Sequence, residues 1–145
     1  MRTRTWLLFV LVLVGPVQAA ELKDPPPIPV PVGISQADVA TAIKKALAGR
    51  KLTVDSEQPG HIVARYAPRT HVARMTISYD TSQVRIAYLD SINLDYEEQG
   101  SRREVYRSPR GDTDVRVIPA HRQIHRNYNK WVANIAHDIQ QQLYR

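Results

Sequence analysis

The chain has 145 residues and a formal net charge of +6, and 43% of its residues are apolar, which suffices for one domain with a modest core. It contains no cysteine. Disulfides, thiolate metal sites and a cysteine nucleophile are therefore excluded.

The first segment has the three regions of a secretory signal peptide. Two arginines precede nine consecutive apolar residues at 6–14, and Val17 and Ala19 supply the small side chains that signal peptidase requires. In a helix this apolar run rises only about 14 Å, against about 30 Å for a bilayer core. The sequence therefore predicts a signal peptide at 1–19, cleavage between Ala19 and Ala20, a periplasmic location and no transmembrane span after cleavage.

A proline-rich stretch follows the predicted cleavage site. Half of the residues in 24–33 are proline, and such a composition favours an extended polyproline II conformation of about 3.1 Å per residue. We expect residues 20–34 to form a stiff spacer before the folded domain. The alternative is a ligand for a domain that recognises proline-rich segments.

The folded domain is predicted to span 35–145 and to open with a helix. Ser35 and Asp38 have the spacing of a helix N-cap and first turn, and Gly49 ends the pattern. Between them the apolar residues recur at helical spacing. These residues are Val39, Ala40, Ala42, Ile43, Ala46 and Leu47.

Four segments with strand-like composition come next, at 51–55, 60–67, 70–80 and 83–90. The last three alternate apolar and polar residues with period two, which predicts a half-buried antiparallel meander. A hairpin tip at Thr81 and Ser82 would place every apolar pair on one side of the sheet. The expected pairs are Tyr79 with Val84, Ile77 with Ile86, and Met75 with Tyr88.

The opposite side of this predicted sheet carries Arg65, Arg74 and Arg85. Guanidinium groups bind phosphate and carboxylate through paired donors, so these residues are candidates for recognising an anionic surface. The alternative is a solvated face whose charges prevent aggregation.

The least regular segment is 97–123, which we expect to be a mobile basic loop. Between residues 97 and 130 there are eight lysines and arginines against five acids, and a long loop without regular structure is typically functional or disordered. Its candidate binding residues are Arg102, Arg103 and Arg107, and Arg126, just after the loop, is a further candidate.

A second helix is predicted to run to the C-terminus, with Trp131 as part of the core. Its apolar residues follow the helical period and are Tyr128, Trp131, Val132, Ile135, Ala136, Ile139 and Leu143. The predicted fold is therefore α+β, with a helix, a four-stranded antiparallel meander and a C-terminal helix. Both helices should cover the same face of the sheet.

His121 and His125 form a possible metal pair. If the last helix began at Pro119, the two imidazoles would share a helix face, as zinc ligands can. No third ligand is evident, and the chain lacks a nucleophile elbow, a phosphate loop and a zinc-protease motif. We therefore expect a protein without catalytic activity, metal or other cofactor, and keep a metal-dependent hydrolase as the alternative.

Three segments carry a resemblance to a known family. They are 88–96 (YLDSINLDY), 124–135 (IHRNYNKWVANI) and 49–64, which contains PGHIVA. The chain resembles a family of small exported proteins and lipoproteins of Gram-negative bacteria with no assigned activity. The resemblance implies export and an architecture, but no catalytic residues. Many relatives carry a lipid-attachment cysteine where this chain has Val17 to Ala20. Residues 100–121 look like an insertion at a point where relatives have a short connection.

Export and charge together define the function expected from the sequence. A basic protein outside the cytoplasm has no access to nucleic acid, whereas anionic lipids and lipopolysaccharide phosphates are available to it. We expect a non-enzymatic periplasmic protein that binds an anionic envelope component or an envelope protein.

Overall fold

A computed structural model describes residues 19–145, so the predicted signal peptide lies outside the described residues except for Ala19. The described chain is α+β, as predicted, with two helices and ten strands in three sheets. The helices are α1 (Gln36–Gly49) and α2 (Asn127–Leu143). The strands are β1 (Ala19–Glu21), β2 (Ile28–Pro29), β3 (Thr53–Gln58), β4 (His61–Tyr66), β5 (Val72–Tyr79), β6 (Gln83–Ile92), β7 (Glu97–Gln99), β8 (Arg102–Arg107), β9 (Thr113–Ile118) and β10 (His121–His125).

The main sheet has five antiparallel strands in the order β2-β6-β5-β4-β3. Strands β3 to β6 are the predicted meander, but the prediction of one four-stranded sheet was wrong. Strand β2 adds a fifth strand, β1, β10 and β7 form a second sheet, and β8 and β9 form a third. Strands β1, β2 and β7 are only two or three residues long, and β8, β9 and β10 are rich in charged and polar residues, so their strand signal in the sequence is weak.

The central hairpin has the predicted register. Tyr79 pairs with Val84, Ile77 with Ile86, and Met75 with Tyr88. The Asp80 carboxylate organises the turn, because its Oδ1 accepts hydrogen bonds from the Ser82 amide at 2.7 Å and the Gln83 amide at 2.9 Å.

Helix α1 also matches its prediction. The Ser35 side chain accepts a hydrogen bond from the Asp38 amide, and all six predicted apolar residues are buried. Beyond the helix, Lys51 adopts a left-handed conformation with φ of 61°. The amides of Lys51 and Leu52 donate to the carbonyls of Ala48 and Leu47, which is the Schellman arrangement that usually employs glycine.

Both helices and the inner face of the main sheet share one core. Helix α2 buries Tyr128, Val132, Ile135, Ile139 and Leu143, and Trp131 packs at the edge, partly buried rather than fully inside as predicted. Helices α1 and α2 pack against each other, and the Arg50 guanidinium binds both carboxylate oxygens of Asp138 across them. This ion pair raises the pKa of Arg50 above its usual value.

The expected spacer at 20–34 is instead part of the folded unit. Ile28 and Val30 are buried, with 6% and 8% of their surface exposed. Ile28 pairs with Val84, and the Val30 amide donates to the Ser82 carbonyl at 2.9 Å. The prolines remove backbone donors, but an edge strand tolerates this loss because one of its sides has no partner strand. The apolar residues between the prolines then fill the core.

Candidate functional site

The expected loop at 97–123 consists of paired strands. Strand β7 pairs with β10 as far as Gln99 and His121, and β8 pairs with β9 from Arg102 and Ile118 onward. Two unpaired residues separate β7 from β8, and two more separate β9 from β10. Pro119 is one of the second pair and has no amide hydrogen to donate. We call residues 102–118 the arm.

The arm projects from the domain as an isolated hairpin. Its six residue pairs correspond to about 20 Å of ribbon. Every residue of β8 and every residue of β9 except Ile118 is exposed. At the tip, the Ser108 amide donates to the Asp112 carbonyl at 2.8 Å, and Gly111 takes a φ of 91° that favours glycine.

The register divides the arm into two unlike faces. One face, which we call the valine face, carries three exposed valines. Val105 exposes 69% of its surface, Val115 56% and Val117 62%. Arg103 and Arg107 lie on the same face, which contains no carboxylate. Within residues 19–145 neither arginine forms an ion pair. The valine face therefore has an apolar centre and two free cations.

The opposite face of the arm is balanced in charge. It carries Arg102, Glu104, Tyr106, Asp114, Arg116 and Ile118. The Arg102 guanidinium binds Glu104 at 3.0 Å, so one of the predicted binding arginines is already paired. The two faces thus differ in both polarity and charge.

The arginines of the main sheet do not form a continuous row. On the outer face, which is the side away from the helices, Arg65 lies opposite Arg74, and Arg74 lies opposite Asp90. The Arg74 guanidinium donates from Nε to Asp90 at 2.8 Å and lies 4.0 Å from Asp55. Arg85 is opposite Ser78, about 13 Å along β5 from Arg74.

Both carboxylates lie at β-bulges. The register of β6 skips Leu89, which turns Asp90 to the outer face, and the register of β3 skips Asp55. The hydrogen bonds with Asp90 raise the pKa of Arg74, and they lower the pKa of Asp90 below its usual value. A strict period-two reading of the sequence places Asp90 on the inner face, so it misses this partner.

The remaining basic residues are dispersed. Arg126 is exposed at the start of α2, and Arg122 on β10 pairs with Asp24 at 3.4 Å. Of the candidate binding arginines, Arg65 and Arg74 are cross-strand neighbours on the main sheet. Arg103 and Arg107 share the valine face of the arm, and Arg102 lies on its opposite face.

The histidine pair does not have the expected helical geometry. His121 and His125 are the two ends of strand β10, about 13 Å apart along the strand, and α2 begins only at Asn127. Pairing of this segment with both β1 and β7 draws it into a sheet. His125 instead stacks on His71, with ring centroids 6.2 Å apart. In the described part of the chain no three His, Asp or Glu side chains are grouped to hold a metal ion.

No protein-family model, curated protein or solved structure matches this chain. From residue 19 onward, no helix is both long enough and apolar enough to cross a bilayer. The arm is the feature of the described chain that bears most directly on function.

Proposed function

We propose that the chain is exported, is processed between Ala19 and Ala20, and serves in the periplasm as a non-enzymatic protein that binds an anionic envelope surface through the arm. The N-terminal sequence pattern and the resemblance to exported proteins support the location. The valine face supports the activity and is the observation on which this proposal depends.

The arm has the properties expected of a binding element. A two-stranded hairpin without further cover is only marginally stable in water, and exposed apolar side chains grouped on one face mark interaction sites. Burying the valine face against a partner removes Val105, Val115 and Val117 from water. The arm therefore gains stability by binding.

The charge on the valine face favours an anionic interface over a neutral one. Arg103 and Arg107 have no acidic neighbour on that face, and guanidinium groups bind phosphate oxygens through paired donors. At a membrane surface the valines would enter the boundary between headgroups and acyl chains while the arginines contact phosphates. Phospholipid headgroups and lipopolysaccharide both present such phosphates.

Vesicle binding by matched charge variants tests the proposal. Each basic residue near an anionic surface contributes about 1 kcal/mol, so Arg103→Gln with Arg107→Gln should weaken binding to phosphatidylglycerol vesicles about thirtyfold. Arg102→Gln with Arg116→Gln removes the same charge from the opposite face and should change binding much less. Sedimentation with vesicles, in parallel with lipopolysaccharide aggregates, measures both variants and separates the two sources of phosphate.

Three results would contradict the proposal. Equal losses in the two double variants would mean that net charge alone drives binding. Binding that persists unchanged at about 1 M salt, where the screening length is about 3 Å, would exclude an electrostatic contact. Equal binding to phosphatidylcholine vesicles would exclude recognition of an anion.

An envelope protein is the second candidate partner. Among the described residues the outer edges of β8 and β9 have no partner strand, and such edges can accept a strand from another protein. Crosslinking from the arm to one envelope protein in cells, combined with no binding to anionic vesicles, would favour this candidate.

A further inference from the structure

We propose that a cavity of about 230 Å³ beside Trp131 binds a small monocyclic carboxylate such as an aromatic acid. The cavity lies where the end of α1, the end of β4 and the first half of α2 meet. It contains no residue of the arm, so this inference is independent of the proposed function.

The walls of the cavity are aromatic and aliphatic. Tyr66 and Trp131 meet edge to face, with ring centroids 5.1 Å apart and planes at 78°. Leu52 and Ile135 are buried core residues that also line the cavity. Ligand sites typically combine such apolar walls with a few polar groups that fix orientation.

The polar groups at this cavity favour an anion. Its charged lining residues are Arg50 and Lys51, and no carboxylate from residues 19–145 lines it. Arg50 is already occupied by two hydrogen bonds to Asp138, whereas Lys51 forms no ion pair within the described part of the chain. Asn134 adds an amide at the same rim. The one lining residue with an unpaired charge is therefore Lys51, on a cavity that Tyr66 and Trp131 also line.

The backbone at Lys51 supports a role for its side chain. Its φ of 61° is left-handed, at a helix-terminating position where glycine is the favoured residue. A lysine here costs conformational stability, because its Cβ opposes this geometry. Residues that hold strained conformations are concentrated at functional sites, and at this site the strained residue carries the unpaired charge.

The volume matches a ligand with one ring. An apolar cavity of about 150 Å³ admits benzene, so about 230 Å³ leaves room for a six-membered ring with a short acidic substituent. The ring would contact Trp131 and Tyr66, and the carboxylate would reach Lys51.

Tryptophan fluorescence provides a direct test with benzoate as the probe. The chain has two tryptophans, and Trp6→Phe leaves Trp131 as the single emitter whether or not the signal peptide is removed. Benzoate should change the emission saturably, and benzamide, a neutral compound of similar shape, should bind at least tenfold more weakly. The double variant Arg103→Gln with Arg107→Gln, which alters only the arm, should leave this titration unchanged. Benzoate binding and envelope binding by the arm can therefore fail independently of each other.

Substitution of Lys51 separates binding from folding. Lys51→Gly should raise the melting temperature, because it relieves the left-handed strain, and should weaken benzoate binding at least tenfold. Lys51→Asn, which tolerates the same backbone conformation, should also weaken binding. Lys45→Gln, which removes an exposed charge from α1 outside the cavity lining, should have no effect on affinity.

The inference is overturned by any of three results. These are no saturable change up to about 10 mM benzoate, equal affinity for benzamide, and unchanged benzoate affinity in both Lys51 variants.

Discussion

Asp80 shows how much a single residue can organise in this protein. Its carboxylate accepts hydrogen bonds from the amides of Ser82 and Gln83 and from the Ser82 hydroxyl. These bonds hold the tip of the central hairpin and lower the pKa of Asp80 below its usual value. An aspartate at the start of a turn is a local sequence signal, so the turn position could be predicted without tertiary information.

The lowered pKa of Asp80 predicts a contribution to stability that depends on pH. A carboxyl group with a lower pKa in the folded state stabilises the fold above the unfolded-state pKa of about 3.9, and this contribution is lost as pH falls through the folded-state value. Asp80→Asn should therefore lower the free energy of unfolding at pH 7 and have a smaller effect at pH 3. Urea denaturation at the two pH values measures both differences.

Asp112→Asn is the matched control, because no hydrogen bond to its side chain is found in the described chain. Its effect should be small at both pH values. The interpretation of Asp80 fails if its substitution costs the same stability at pH 3 as at pH 7.

The environment of Arg74 illustrates what residue patterns do not reveal. Its position on the outer face follows from the alternation of β5. Its partner Asp90 reaches it only because β6 contains a bulge, and its second carboxylate neighbour, Asp55, is itself the extra residue of a bulge in β3. A bulge changes which face a residue occupies, and no local signal in the sequence marked either one.

At the scale of elements, β2 differs most from its prediction. Proline composition indicates an extended chain, and in the structure Ile28 and Pro29 form a short strand against β6. Which surface an extended segment contacts depends on the strands available elsewhere in the fold. The alternation of Ile28 and Val30 with prolines was the available signal.

Ile28→Ala tests whether β2 belongs to the core. Truncating a buried isoleucine usually costs about 2 to 5 kcal/mol, and Ile28 is buried. We expect a loss in this range in urea denaturation. Val32→Ala, at a fully exposed position nearby, should change the free energy of unfolding by less than about 0.5 kcal/mol. An equally small effect for Ile28→Ala would restore the spacer interpretation.

The sequence of the arm contains a turn signal typical of a hairpin, but the many charged residues around it led to the prediction of a loop. Residues 108–112 read Ser-Pro-Arg-Gly-Asp, which is turn chemistry, and valines occur on both sides of it. The flanking strands are otherwise filled with arginine and acidic residues, so neither has a continuous apolar face. Pairing between β8 and β9 decides the structure, and pairing is a property of both strands together.

The whole molecule is organised around one core that begins well before Ser35. Leu22, Ile28 and Val30 are all part of that core. Burying each such side chain contributes about 1.5 to 3 kcal/mol, so the three together contribute about 5 to 9 kcal/mol. Domains of this size are stable by only about 5 to 15 kcal/mol in total.

Truncation at residue 35 should therefore remove most of the stability of the domain. A chain beginning at Ser35 is expected to show no cooperative thermal transition by circular dichroism, whereas a chain beginning at Ala20 should unfold cooperatively. As a control, a Gly-Ser turn in place of the arm should lower the melting temperature by only a few degrees, because nearly all residues of the arm are exposed. A cooperative transition in the chain from Ser35 would contradict this view of the core.

The sequence by itself determined both helices, the cap at Ser35 and the register of the central hairpin. These features arise from interactions between residues close in the chain, where periodicity and turn chemistry are sufficient evidence. Only the tertiary structure decided that Ile28 pairs with Val84, that Ala20 pairs with Ile124 and that Asp90 faces Arg74. Such contacts join distant segments, and their energy depends on which surfaces the rest of the fold leaves open.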